Sequence, residues 1–322
     1  MWTKLKKPIL ALAPLADVTD AAFRRVIARY GKPDILWTEF VSADGLCHPD
    51  GRARLLKDLM FDESERPIVA QLFTAHPDRL RQAAALVAQL GFDGLDLNFG
   101  CPDRSVERQG AGAALIKNPP LARELIRAAR AGTIDTGREL PVSVKTRLGY
   151  NQDELESWLP ELLAESPAAI TLHARTRQEM SKVPARWARV KRAVEIRDEL
   201  KSATLILGNG DVRDPDHARK LAEQSGADGV MLGRAIFGNP WLFNHSRKSP
   251  TVVERLRVLV EHTKLFEELL SGHKNFAVMK KHYKAYVAGW EGAVELRAKL
   301  MMTNNAGEVE QIVADYLKNG LK

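Results

Sequence analysis

Eight short apolar runs, each ending in polar residues or glycine, punctuate the chain between Pro8 and Leu232. They span 8–13, 35–40, 67–73, 94–99, 141–146, 169–173, 204–207 and 229–232. Several are nearly continuous in valine, isoleucine and leucine, the composition of strands buried on both faces. The segments between them have helical period. Leu80, Ala83, Ala84, Val87 and Leu90 recur at 3.6-residue spacing within 77–90. Residues 119–131 open on prolines suited to a first helical turn, and 153–164, 187–200 and 215–224 complete the series. Alternation of this kind builds a parallel sheet, either closed as a (β/α)8 barrel or open and doubly wound. Chain order allows both; the count of eight favours an α/β fold of the TIM-barrel type.

Beyond about residue 250 the strands stop and only helical periodicity remains. The expected organisation is a barrel over 1–246 and a smaller all-helical domain over 247–322. The 322-residue chain carries a net charge of +7. Of this, +4 falls from Arg247 onward and +3 on the longer first part, so the tail is the more basic per residue. Between Leu269 and Trp290 there is no acid, only Lys274, Lys280, Lys281, Lys284, His273 and His282, with Tyr283 and Tyr286 among them. Cations interleaved with aromatics suit a nucleic-acid surface; a solvated helix face fits the same residues. Two cysteines, Cys47 and Cys101, exclude a disulfide scaffold and a four-cysteine zinc site. The N-terminal apolar run is too short for a signal peptide, and no stretch approaches the roughly 18 uncharged apolar residues of a membrane span. A soluble, cytoplasmic protein is expected, and nothing demands more than a monomer.

In a barrel the active site sits at the C-terminal ends of the strands. Gln71 stands at the end of the third run, and Asn98 before Gly100-Cys101-Pro102 at the fourth. Lys145 and Arg147 end the fifth, and His173 and Arg175 the sixth. The seventh gives Gly208-Asn209-Gly210-Asp211 and the eighth Gly233-Arg234. Barrels commonly hold a phosphate at the last two loops, where glycines admit close backbone approach. Gly210, Gly233 and Arg234 would grip it, and Lys145 and Gln71 across the mouth suggest FMN. A sugar phosphate, with Lys145 as a Schiff base, fits the same spacing. Cys101 could act as nucleophile or general acid, or simply pack. Cys47 is read as a packing residue.

These residues carry a resemblance. Asn98-Phe99-Gly100-Cys101-Pro102, with Val106, Gly110-Ala111-Gly112-Ala113 and Leu115, resembles the signature of the tRNA-dihydrouridine synthase family. Ala13-Pro14-Leu15-Ala16 resembles its first flavin loop. Residues 144–149, 173–177, 208–211 and 233–241 are similar in order and spacing, so the likeness covers about residues 8 to 245. The resemblance implies an FMN-dependent oxidoreductase that reduces uridines of tRNA to dihydrouridine with NADPH or NADH. It implies FMN held by Pro14, Leu15, Ala16, Gln71, Lys145, His173, Asn209, Gly210, Asp211, Gly233 and Arg234. Asn98 and Arg175 would contact the uracil or its surroundings, with Arg147 and Arg177 among the substrate residues, and Cys101 would protonate C5 opposite hydride transfer to C6. Lys280, Lys281 and Lys284 are expected to meet tRNA phosphates. Thr74, Phe99 and Ala174 depart from the family pattern, and all three are expected beside the flavin or substrate. A dehydrogenase of a free pyrimidine, of the dihydroorotate type, and a non-catalytic RNA-binding flavin barrel are the alternatives; the basic tail argues against the first and the Cys101, Lys145, His173 set against the second.

Overall fold

The computed structural model describes residues 1–244 and 249–319; the expected boundary between 246 and 247 lies outside the described residues. All eight expected strands form: β1 (Ile9–Leu12), β2 (Leu36–Ser42), β3 (Ile68–Phe73), β4 (Gly94–Phe99), β5 (Val142–Arg147), β6 (Ala169–His173), β7 (Leu205–Asn209) and β8 (Gly229–Leu232). Neighbours pair in parallel, and β1 joins β8. An Ala11–Ile35 bridge closes β1 onto the start of β2. The Asp34 amide donates to Leu10 O at 2.9 Å, and its carboxylate accepts from Leu10 N at 2.7 Å. The sheet is therefore a barrel, and the open doubly wound alternative is excluded.

Side chains alternate between the barrel axis and the helices outside. Ile9, Ala11, Ala13, Ile35, Trp37, Val69, Ala169, Leu207 and Met231 form an inner cluster, which Trp2 joins. The opposite residues pack against a ring of helices: α1 (Ala21–Tyr30), α2 (Ala43–Cys47), α3 (Pro49–Leu55), α4 (Pro77–Gln89), α5 (Arg104–Arg108), α6 (Pro119–Ile134), α7 (Leu155–Leu163), α8 (Trp187–Glu199) and α9 (Pro215–Ser225). The five helices expected from periodicity match α4, α6, α7, α8 and α9 to within a few residues.

The tail is helical as expected, with α10 (Val252–Leu270), α11 (Met279–Tyr286), α12 (Ala293–Leu300) and α13 (Ala306–Asn319). A Thr251–Glu254 capping box starts α10. The tail shares one continuous core with the outer barrel. Tyr30 donates to Glu261 at 2.6 Å, His273 lies 2.7 Å from Asp58, and Lys274 pairs with Glu39 at 2.7 Å.

The aromatics of the basic segment do not form an RNA-stacking surface. Met279, His282, Tyr283 and Tyr286 are all fully buried, because spacings of three, four and seven residues share one helix face. Lys280, Lys281 and Lys284 take the other face, half-exposed or exposed. Phe23 of α1 stacks on His262 at 4.7 Å and meets His282 edge-on at 4.9 Å. Neither imidazole has a hydrogen-bond partner among the described residues. Burial pushes His282 down to about 3 and His262 well below the usual imidazole value. Both are therefore neutral in the folded protein. Unfolding exposes them to protonation near pH 6.5, so their contribution to stability is present above that value and is lost as pH falls. His282 alone should cost about 2 kcal/mol between pH 7 and pH 5. Urea unfolding at the two pH values should show a shallower loss in His282→Phe than in the parent; equal losses would contradict this account.

Candidate active site

The inward residues at the upper strand ends line one cavity of about 840 Å³. Pro14, Leu15, Ala16, Gln71, Asn98, Cys101, Lys145, Arg147, His173, Arg175, Arg177, Asn209, Gly210, Asp211, Gly233 and Arg234 all border it. Lys280, Lys281 and Lys284 do not. Register explains the convergence: Asn98 pairs with Lys145, Arg147 with His173, and His173 with Asn209.

Cys101 lies just beyond β4. Its carbonyl accepts from Ala113 N at 3.0 Å, and its amide donates to Asn98 Oδ1 at 2.9 Å. Gly112, at φ +61°, makes this fold possible: a Cβ there would stand 2.8 Å from both Cys101 O and Val106 Cγ1. Burial pushes the Cys101 thiol above its ordinary value, so the sulphur keeps its proton at neutral pH. Cys47, at the end of α2, donates to Arg79 O at 3.3 Å and does not border the cavity.

Three of the arginines tie the loops of the mouth together. Arg147 donates Nε to Gly100 O at 2.7 Å and Nη1 to Thr176 O at 3.2 Å. Arg177 makes a two-pronged pair with Glu107. Arg175 donates to Val183 O at 2.6 Å and pairs with Asp211. Asp211 also meets Arg234 at 3.0 Å, and its carboxyl is held below the usual range, chiefly by Arg175. Asn98 donates to Gln71 at 3.0 Å; with its oxygen engaged by the Gly100 and Cys101 amides, it retains one N–H for a ligand.

The free capacity of the cavity is cationic. The Lys145 ammonium has no hydrogen bond or ion pair to a described residue. Burial, reinforced by Arg147, lowers it to about 8, so it stays charged at pH 7. Asn209 is held by Met231 O at 2.7 Å, and Trp187 donates to Gly210 O at 2.9 Å. A Cβ on Gly233 would meet only Ala13, at 3.9 Å, so the glycine leaves open space beside Arg234. An anionic group with a planar, hydrogen-bonding ring fits this arrangement.

A family model described as Dihydrouridine synthase (Dus) matches residues 11–320. The chain belongs to the dihydrouridine synthase family. A "Probable tRNA-dihydrouridine synthase 2" of Bacillus subtilis (strain 168) is 42% identical over 317 residues, covering 98% of this chain and 96% of the relative. A "Probable tRNA-dihydrouridine synthase" of Staphylococcus aureus (strain MRSA252) is 39% identical, covering 98% and 95%. Among solved structures, morphinone reductase superposes with a TM-score of 0.53 at 15% identity, over 78% of this chain and 89% of that one, a likeness of fold.

In this member of the family the three departures lie outside the cavity. Phe99 and Ala174 are buried in the outer core, and the Thr74 hydroxyl donates to Asp44 at 2.6 Å. Phe99 ends β4, and Thr74 and Ala174 stand one residue beyond β3 and β6; all three continue the outward alternation, so sequence neighbours of site residues point away from it. Two features of the site had no motif to announce them. One is the buried Asp96–Ser143 pair below Gln71. The other is Glu39, which accepts from the Asp17 amide beside the Pro14–Ala16 loop and pairs with Lys274. Phe40 and the Gln178–Lys182 loop also border the cavity.

Arg175 fixes the state of His173. A guanidinium only donates, and Arg175 Nη1 stands 3.1 Å from His173 Nε2. That nitrogen must therefore accept, leaving the proton on Nδ1. Burial and the neighbouring cations push the imidazole well below its usual value. Nitrogen-15 NMR should find His173 neutral, with Nδ1–H, throughout pH 5.5–8; titration in this window, or an Nε2–H tautomer, would contradict the assignment. Arg175→Met should release the tautomer to a mixture.

Proposed function

We propose that this protein is a cytoplasmic, monomeric enzyme that reduces the C5=C6 bond of uridines in tRNA to 5,6-dihydrouridine, with FMN as its flavin and NADPH as reductant. The observation that carries the reading is a protonated thiol, Cys101, on the wall of a cavity that also presents a charged Lys145 and a glycine-lined anion cradle. The names of the relatives, tRNA-dihydrouridine synthases, support the substrate. Among the described residues, no helix is long and apolar enough to cross a membrane.

Pro14, Leu15, Ala16, Gln71, Lys145, His173, Asn209, Gly210, Asp211, Gly233 and Arg234 would hold FMN, which when bound supplies the hydride chemistry. Lys145 would place positive charge beside the ring, and Gly210, Gly233 and Arg234 would meet the phosphate. The protein's own acid–base step belongs to Cys101, which holds its proton on sulphur and delivers it to C5. Asn98 offers its remaining N–H to a carbonyl oxygen of the base. The fixed Arg147, Arg175 and Arg177 hold the loops that contact the substrate. A stacked uridine cannot reach a recessed cavity, so the target base is extruded from the RNA.

Cys101→Ala should retain the flavin absorbance of the parent and lose roughly 10²–10⁴-fold in dihydrouridine formation, read by mass mapping of treated tRNA. Full turnover in that variant would remove Cys101 from the chemistry. Neutralising Lys280, Lys281 and Lys284 together to glutamine should weaken tRNA binding and lower its log–log salt slope by about 2. An unchanged slope would move the RNA surface to Arg104 and Arg108 near the mouth.

A further inference from the structure

Beneath the proposed flavin site a buried carboxylate begins a chain of hydrogen bonds that ends at the Cys101 backbone. Asp96 lies on β4, only 1% exposed, opposite Gln71 on β3 and Ser143 on β5. Asp96 Oδ2 accepts from Gln71 Nε2 at 2.6 Å, and Oδ1 accepts from Ser143 Oγ at 2.5 Å. Gln71 Oε1 accepts from Asn98 Nδ2 at 3.0 Å. Asn98 Oδ1 accepts from the amides of Gly100 at 3.2 Å and Cys101 at 2.9 Å.

The direction of this chain is forced from both ends. The backbone N–H groups of Gly100 and Cys101 can only donate, so Asn98 must turn its oxygen toward them. Its NH₂ then faces Gln71, which must present its oxygen there and its own NH₂ to Asp96. An acceptor is required at that last position, and an ionised carboxylate has nothing but acceptors to offer. Flipping either amide would set donor against donor or acceptor against acceptor at each of its contacts, in a place where unmade hydrogen bonds are costly.

We propose that Asp96 is a positioning residue for Cys101: it supplies the acceptor that anchors the Gln71 and Asn98 amides in their one consistent sense and through them holds the Cys101 backbone at the cavity wall. The functional weight of this chain rests on the reading of Cys101 as the proton donor; its geometry does not.

The test reads the Cys101 loop directly. In a Cys47→Ser background, alkylation of Cys101 by iodoacetamide is timed by mass spectrometry for the parent, Asp96→Ala and Asp96→Asn, without tRNA. Asp96→Ala removes the terminal acceptor, and alkylation should be roughly tenfold faster as the loop opens more often. Asp96→Asn can still accept from Gln71 through Oδ1 and donate to Ser143 Oγ through Nδ2. It should stay within about threefold of the parent, because the sense of the chain survives. If Asp96 mattered only as a buried charge, the two variants would behave alike, since both lose it; equal rates overturn the proposal. Should Asp96→Ala fail to fold, Asp96→Asn decides alone: a rate within threefold supports the chain and a larger change overturns it. Absence of dihydrouridine from tRNA treated with the parent enzyme would refute the proposed function and leave the alkylation comparison standing.

Discussion

A parallel strand turns alternate residues to opposite faces, and closing eight such strands leaves every second residue no direction but the barrel axis. Low in the barrel this inward set is apolar, with Ile9, Ile35, Val69 and Leu207. At the upper rim the same columns end in Ala13, Gln71, Asn98, Lys145, His173, Asn209 and Gly233, all bordering one cavity. A one-residue slip would exchange Asn98 for Leu97, Lys145 for Val144 and His173 for Leu172. Those three leucine and valine side chains are buried in the outer core, so the slip would cost apolar burial on one side and strand polar groups on the other. The site therefore inherits its geometry from the register that builds the core.

The rim collects more positive than negative charge. Arg147 is pushed down to about 10 by burial, Lys145 to about 8, with burial again the larger cause, and His173 is kept neutral by burial and its cationic neighbours. Asp211 and Glu107 hold Arg175 and Arg177, and the buried Asp96 offsets part of the remainder. What is left is a partly desolvated cavity with an ammonium that no described residue pairs and an exposed Arg234. An anion entering it is stabilised by groups already in place, with little reorganisation. The loops are fixed largely by arginines bonded to carbonyls and carboxylates, so guanidinium groups that look like free substrate contacts in the sequence are mostly engaged within the protein.

The strands were legible because both of their faces are apolar, and the rim residues because they end such runs. Asp96 was not: it stands mid-strand, between Leu95 and Leu97, and its meaning depends on Gln71 and Ser143, brought opposite it only by register. Glu39 and Lys274 are likewise joined across more than two hundred residues of chain. The buried Tyr283 and Tyr286 carried a readable signal. With Met279 and His282 they mark one helical face at spacings of three, four and seven, whereas the lysines between them fall on the other. Counting cations and aromatics in a window ignores that period, and the period decides which of them meets solvent.

The same distinction applies to the tail's excess charge. A cation contributes to steering a polyanion only where its field reaches solvent. Lys274 is half-buried and paired with Glu39 and Asp17, and half-buried His273 meets Asp58. Arg255 stacks over Trp290 at 5.0 Å and donates to Ala288 O at 3.1 Å, while Arg297 donates to Val287 O at 3.2 Å. These groups join the tail to the barrel or to itself. Glu39 also accepts from the Asp17 amide, next to the Pro14–Ala16 loop, so Lys274 links the tail to a segment that borders the cavity. Separating the tail would strand Glu39 and Lys274 without their partner and uncover the contact of Phe23 with His262 and His282. The tail thus acts as a docked wall of the barrel, and the lysines left on its outer face are held in a fixed position relative to the mouth.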